Sequence, residues 1–297
     1  MNPVSSSRPA WRTLLAAKRP LVLPVAHDAL SARLIARAGF EAYSIGGFPL
    51  VGARYGLPDI GLVGLGEMID GMRDIIAASP LPVLVDADHG YGDVKNVTRT
   101  VRAHESIGAS ALFIEDQRAP KRCGHMAGKE VVPTEVMEAK LRAAAAARTN
   151  PDTFLMARTD ARAVHGLDEA LRRGERYIKA GADCLFIEAP ENVEELKRIG
   201  AAFRGVPQMA NMLEGGGRTP ILSPQELYDI GFSMIAYPTT LLFRVARAIE
   251  RGLADLKAGR PAPAAEMVGF DDFKDMVGFA DWAAVENRFA KSKPESN

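Results

Sequence analysis

Disulfide-forming capacity is almost absent from this chain, whose 297 residues hold two cysteines, Cys123 and Cys184. Two thiols in a chain this long make no disulfide framework, so a reducing compartment, the cytoplasm, is expected. No apolar run approaches the ~20 residues of a membrane span, and the first ten residues lack the apolar stretch of a secretory signal. There is no excess of either charge: 37 basic residues balance 37 acidic ones, so nothing points to nucleic acid or an anionic membrane as a partner. No Gly-x-Gly-x-x-Gly follows a strand and no Walker-type loop occurs, which leaves dinucleotide and ATP binding unsupported. Apart from the alanine run 143–147 there is no low-complexity tract. What is there is 47% hydrophobic and 25% charged, a globular composition with chain enough for one large α/β barrel or two smaller domains.

Eight short apolar runs recur: Leu21–Ala26, Ala42–Ile45, Pro82–Val85, Ala111–Ile114, Phe154–Ala157, Cys184–Ile187, Pro207–Ala210 and Ser233–Ala236. Amphipathic stretches separate most of them, among them Ser31–Ala38, Glu67–Ala78, Val94–Ile107, Thr134–Arg148 and Leu167–Ala180. Several end at a glycine (Gly39, Gly108, Gly181, Gly231) suited to a left-handed C-cap. Strands alternating with helices predict parallel pairing. An open doubly wound sheet marks only the strands at its switch point with polar ends. Here nearly every strand ends in polar side chains or glycines, so a (β/α)₈ TIM-type barrel is expected over about residues 20–258. Aromatics at Phe270, Phe273, Phe279, Trp282 and Phe289 mark a C-terminal helical extension over about 264–290, part of the same single domain. Met1–Ser7 and Lys291–Asn297 read as frayed ends.

The loop Lys121-Arg122-Cys123-Gly124-His125 follows the fourth strand. Cationic neighbours favour a thiolate, so Cys123 reads as a thiol trading protons near neutral pH, or else as a plain loop cysteine. Asp86 and Asp88, two residues apart at the third strand end, point the same way. Such carboxylates repel unless a hard cation such as Mg²⁺ joins them, and Glu115 at the next strand end could complete the set; helix capping and turn formation are the plainer reading. Arg158 offers a planar fork for a carboxylate, or a salt bridge to Glu188 or Asp160. Asn211 and Glu188 likewise end strands. His104, among polar helix neighbours, reads as solvated; His165 falls in a turn.

With these pieces in place the sequence resembles the isocitrate lyase/phosphoenolpyruvate mutase superfamily from about residue 20 to 290. The resemblance rests on Gly56-Leu57-Pro58-Asp59, Asp86-Ala87-Asp88 with Gly90-Tyr91-Gly92, Glu115-Asp116-Gln117, Lys121–His125, Arg158-Thr159-Asp160 and Glu188-Ala189-Pro190. It implies Mg²⁺, or Mn²⁺ in its place, held by Asp86, Asp88 and Glu115. It implies a mobile loop after the fourth strand, and a homo-oligomer, dimer or tetramer, with a swapped C-terminal helix. The substrate implied is a small carboxylic acid passing through an enolate. The pentapeptide chiefly marks the carbon–carbon lyases, in which the cysteine is the acid that protonates the carbanion. Carried over, Cys123 is that acid, with Arg158 and Glu188 catalytic beside it and Tyr43 a candidate base for the substrate hydroxyl. Gly46, Gly47, Asp59, Lys121, Arg122, Gly124, His125 and Asn211 would contact substrate.

One departure is Ile45, where lyases of the family carry a serine; it removes a hydrogen-bond donor and argues against methylisocitrate. Asn211–Gly216 is similar to the dimethylmalate lyase and petal death protein branch, whereas Ile45-Gly46-Gly47 is similar to an oxaloacetate decarboxylase branch. The expected activity is therefore Mg²⁺-dependent cleavage of a substituted malate-like 2-hydroxy di- or tricarboxylate to pyruvate or another 2-oxo acid. Oxaloacetate hydrolysis or decarboxylation, phosphonate chemistry, and an inactive barrel that only binds ligand are the alternatives.

Overall fold

The computed structural model describes residues 8–17 and 19–290; the ends read above as frayed lie outside the described residues. Arg8–Val245 form one compact unit, and the described residues from Ala246 onward belong to a second.

The first unit runs α1 (Trp11–Leu15), β1 (Leu21–Pro24), α2 (Ala29–Arg37), β2 (Tyr43–Ile45), α3 (Gly47–Tyr55), α4 (Leu65–Ala77), β3 (Val83–Asp86) and α5 (Val94–Ser106). It continues through β4 (Ala111–Glu115), α6 (Thr134–Ala147), β5 (Phe154–Thr159), α7 (Ala161–His165), α8 (Leu167–Lys179) and β6 (Cys184–Ile187). Then come α9 (Val193–Ala202), β7 (Met209–Asn211), α10 (Pro224–Ile230), β8 (Met234–Tyr237) and the start of α11 (Thr240–Lys257). All eight expected strands are present. Strands β2 to β6 form one parallel sheet in chain order, and β1, β8 and β7 form another. Single parallel bridges, Val25 to Ser44 and Leu185 to Gln208, link strand neighbours across the two sheets.

Local sequence sets the helix starts. Asp28 caps α2 by accepting from the Ser31 amide at 2.7 Å, and Asn192 caps α9 through the Glu195 amide at 2.8 Å. Ser223 and Glu226 form a capping box on α10, with Pro224 at the first helical position. The four expected C-terminal glycines all hold positive φ. Helix α3 was not among the expected amphipathic stretches; Pro49 falls within its first turn, where no amide is needed.

Strand alternation sorts side chains into two cores. Ile45, Val85, Ile114, Ala157, Ile187 and Ile235 pack with helix residues such as Met68, Met72, Leu141 and Leu196. The alternate positions, among them Leu23, Leu84, Phe113, Met156, Phe186 and Met234, pack with one another and with the fully buried Trp11 of α1. Tyr43 and Ile45 belong to the helix-facing core, while Ser44 between them lines a cavity at the strand ends.

His104 corrects the expectation of a solvated ring. It is fully buried, its Nδ1 2.8 Å from the Thr100 carbonyl. Val97, Thr100, Val101 and His104 share one buried face at helical spacing.

In the second unit, after α11 and a short 3₁₀ turn (Ala264–Glu266), the expected single helical segment is two helices, α12 (Phe270–Met276) and α13 (Phe279–Phe289). Gly278, at φ +73°, breaks them apart. Neither has a buried residue, and Phe270, Phe279, Trp282 and Phe289 are exposed. Among the described residues no helix is long and apolar enough to cross a membrane.

Candidate active site

The polar residues at the carboxyl ends of the strands converge on a small cavity of about 70 Å³. Gly46, Gly47, Asp59, Asp86, Cys123, Gly124, His125, Arg158, Glu188 and Asn211 line it, ten of the residues singled out from sequence. A larger cavity of about 700 Å³ lies against α2 and the start of α11, lined by Leu30, Leu34, Phe40, Leu241 and Val245. Its wall is mainly apolar, although His27, Asp28 and Arg244 also line it, whereas the smaller cavity gathers Asp59, Asp86, Arg158 and Glu188 from different segments and is the better candidate for the chemistry.

Parallel register aligns the polar ends: Glu115 on β4 pairs with Arg158 on β5. Arg158 Nη1 stands 3.2 Å from Glu115 Oε2, and its guanidinium donates to Asp160 from Nε at 3.0 Å and from Nη2 at 3.1 Å. The group also lies over Phe186, 5.3 Å from the ring centre. Glu188 Oε2 is 3.7 Å from Arg158 and Glu188 Oε1 is 2.9 Å from His125 Nε2. Burial alone opposes charge on Glu188, yet Arg158 and His125 together hold its pKa down at about 2.

On the opposite wall Asp86 Oδ2 accepts from the Gly47 amide at 3.0 Å and Oδ1 from the Asp88 amide at 2.9 Å. Burial, then the neighbouring Asp88, raise the Asp86 pKa to about 6. Lys121 Nζ sits 2.5 Å from Asp59 Oδ1 and 2.6 Å from Asp88 Oδ1. Tyr91 donates to Asp88 Oδ2 at 2.7 Å. Against a burial cost that is the largest influence, Lys121 and Tyr91 keep Asp88 below the usual carboxylate range.

Among the described residues no three His, Cys, Asp or Glu side chains are gathered at metal-holding spacing. Glu115 is turned to Arg158 and Asp88 to Lys121. The Asp86 and Asp88 pair still fits a hard cation: both carboxylates are buried, burial and then the charge of Asp88 raise Asp86, and the buried Glu115 Oε1 has no hydrogen-bond partner.

The cysteine loop reaches this cavity from the β4–α6 connection. Its base is pinched by an antiparallel bridge between Gln117 and Val131, and Arg118 donates its amide to the Glu130 carbonyl at 2.8 Å. Gln117 clamps Arg122, accepting from its amide at 2.9 Å and donating to its carbonyl at 2.8 Å. The Cys123 amide donates to the Asp59 carbonyl at 3.1 Å. Gly124 lies so close to the strand ends that a Cβ there would stand 2.5 Å from Arg158 Nη2 and 2.6 Å from Glu188 Cγ.

Two expectations fail here. The cations beside Cys123 in sequence do not stabilise a thiolate: Lys121 is drawn to Asp59 and Asp88, and Arg122 is exposed and absent from the cavity wall. Burial instead pushes the thiol up to about 11, with Asp59 and Glu188 adding to it, so Cys123 keeps its proton at neutral pH. Tyr43 does not stand where a base for this site would: it lies in the helix-facing core near Arg8 and Ser79, off the cavity wall, its pKa raised mainly by burial. Ile45 also faces that core, so it takes no side-chain donor from the cavity.

Sequence reasoning missed what stands behind the wall. Asp116 accepts from Thr159 Oγ1 (2.7 Å), the Asp160 amide (2.9 Å), Arg173 Nη1 (2.9 Å) and Tyr177 Oη (2.8 Å). Arg173 and Tyr177, four residues apart on the buried face of α8, were the available signal. Lys129 and the apolar wall of Phe48, Leu213 and Pro238 were also unforeseen.

A sequence model of the phosphoenolpyruvate phosphomutase family matches residues 11–257. The chain belongs to the phosphoenolpyruvate phosphomutase/isocitrate lyase superfamily. It is 42% identical to 2,3-dimethylmalate lyase of Eubacterium barkeri over 284 residues, covering 95% of this chain and 98% of the relative. A solved oxaloacetate acetylhydrolase bound to 3,3-difluorooxalacetate superposes with a TM-score of 0.90 at 30% identity, over 96% and 97% of the two chains. A phosphonopyruvate hydrolase solved with oxalate and Mg²⁺ superposes at 0.85 with 28% identity, over 95% and 98%. The chain is an enzyme of this superfamily whose curated relatives include carbon–carbon lyases, and one of the solved neighbours holds Mg²⁺ with oxalate.

Proposed function

We propose that the chain cleaves the C2–C3 bond of a substituted malate, a 2-hydroxy dicarboxylate, to a 2-oxo acid and a carboxylic acid. The hydroxyl proton leaves, its electron pair forms the carbonyl at C2, and the C2–C3 pair is left on C3. Cys123 gives its proton to that carbon, and the hydroxyl proton restores the thiol. The observation that carries this reading is a thiol in the cavity, beside Arg158 and Glu188, that burial keeps protonated. A proton donor needs that state, whereas a nucleophile needs the thiolate.

Arg158, aimed by Asp160, is placed to receive a substrate carboxylate, and Asn211 to orient its polar groups. Asp86 and Asp88 would hold Mg²⁺, with Glu115 beside them. When bound, that cation supplies the positive charge that steadies developing negative charge on the substrate's oxygens. Phe48, Leu213, Met209 and Pro238 supply an apolar wall suited to an alkyl substituent. His125 and Lys121 shut the loop over the cavity and exclude water.

A second reading, hydrolysis of oxaloacetate, is favoured by the likeness to oxaloacetate acetylhydrolase. One assay separates them: with Mg²⁺, 2,3-dimethylmalate, methylisocitrate, oxaloacetate and phosphonopyruvate are each supplied, and pyruvate and oxalate are followed. Pyruvate from dimethylmalate supports cleavage; oxalate from oxaloacetate alone supports the second reading.

We further propose that the eight strands close as one barrel domain, extended by α12 and α13, and that α13 is exchanged between subunits of a homo-oligomer. The exposed aromatics of α12 and α13 support this, and two unpaired thiols fit a cytoplasmic enzyme. Light scattering of the purified chain tests it: a monomer at micromolar concentration would refute the exchange.

A further inference from the structure

Besides the Cys123 amide on the Asp59 carbonyl, three contacts hold the tip of the cysteine loop down. Lys121 reaches Asp59 and Asp88, His125 reaches Glu188, and the Arg218 amide donates to His125 Nδ1 at 3.1 Å. Asp59, His125 and Glu188 line the cavity, so a ligand entering it would compete for these attachments. Lys129 differs. Its ammonium lies off the cavity wall, on a side chain only 2% exposed, with Nζ 2.6 Å from Asp160 Oδ1. The same ammonium donates to the Gly124 carbonyl at the loop tip.

Asp160 is fully buried and is the carboxylate that accepts both Nε and Nη2 of Arg158. Its own backbone is fixed by Asp116, whose partners Thr159, Arg173 and Tyr177 leave it no room to turn. One immobilised carboxylate therefore sets the direction of the guanidinium and, through Lys129, the position of the backbone next to the thiol. We infer that Lys129 is a positioning residue, a latch tying the Cys123 loop to the carboxylate that aims Arg158, so that thiol and guanidinium face the cavity together only while the Lys129–Asp160 pair is made. Its catalytic consequence rests on Cys123 being the acid; the latch itself does not.

The test uses the full chain and two readouts. Cys184 is fully buried, so iodoacetamide alkylation, located by peptide mass, reads Cys123. Lys129→Met should raise the alkylation rate of Cys123 at least about tenfold, because an opened loop exposes the thiol and lets it ionise more readily. It should also lower kcat by about a hundredfold with KM within about threefold, a split expected when an orienting group is lost and binding is kept. The alkaline limb of the pH profile should move down from about 11, and Lys129→Arg should restore part of kcat. A folded Lys129→Met protein alkylated at the parental rate overturns the latch. If that variant fails to fold, Lys129→Met with Asp160→Asn removes both charges together. Faster alkylation of Cys123 in that double variant supports the inference, and a parental rate overturns it. Should Cys123→Ser retain turnover while Lys129→Met still speeds alkylation of the thiol, the acid role fails and the latch stands.

Discussion

Lys121 Nζ lies 2.6 Å from Asp88 Oδ1, so a cation from the cysteine loop neutralises the acid expected to ligate metal. Lys121 is buried, and four carboxylates, Asp88 first, hold its pKa well above normal against the cost of burial. Lys121→Met leaves Asp59 and Asp88 buried without their cation, and breaking such a pair costs about 3–5 kcal/mol. Urea denaturation should show that loss, with Mg²⁺ restoring part of it by occupying the Asp86 and Asp88 pair. No stabilisation by Mg²⁺ would count against that pair as the cation site.

Tyr43→Phe is expected to change kcat/KM by less than about threefold, because the hydroxyl lies in the helix-facing core, off the cavity wall. Steady-state kinetics with whichever substrate turns over decides it. A loss above about a hundredfold, the scale of a missing general base, would return Tyr43 to the mechanism.

Ile45→Ser should destabilise by about 2–4 kcal/mol, since it replaces a fully buried apolar side chain with a hydroxyl facing the helix layer. It should confer no methylisocitrate cleavage. Gain of that activity would show that position 45 governs the cavity after all.

Acid should weaken the fold through His104. Its pKa is lowered from 6.5 to about 4, chiefly by burial. The unfolded chain therefore binds the extra proton first, and stability is lost as pH falls through 6.5 towards 4, by at most about 3 kcal/mol at 1.36 kcal/mol per unit. Glu188 acts in the same sense lower down, between its ordinary range and about 2. Replacing His104 with Gln should flatten the upper part of the acid limb in chemical denaturation between pH 7 and 4; an unchanged slope would contradict it.

The strands, their polar ends and ten cavity residues were legible in the sequence because alternation and strand-end chemistry are local signals. What was not legible depended on direction. Tyr43, Ser44 and Ile45 are all buried, so composition could not tell which of the three faces the cavity. The cations beside Cys123 are neighbours in sequence only, since loop side chains diverge and Lys121 found stronger partners 62 and 33 positions away, at Asp59 and Asp88. The helical spacing of Val97, Thr100, Val101 and His104 did mark the ring as buried, but its polar neighbours obscured it. Lys129 carried no signal, because its partners Gly124 and Asp160 meet only in the folded chain.

Cys123 as proton donor is the step on which the proposed cleavage depends. Pyruvate formation from 2,3-dimethylmalate with Mg²⁺, measured for the parent and Cys123→Ser alongside oxalate binding by calorimetry, isolates it. Cys123→Ser is expected to lose at least about a thousandfold in kcat with oxalate affinity kept within about threefold, the pattern of a group acting only in the chemical step. A serine variant turning over within about tenfold of the parent would contradict it.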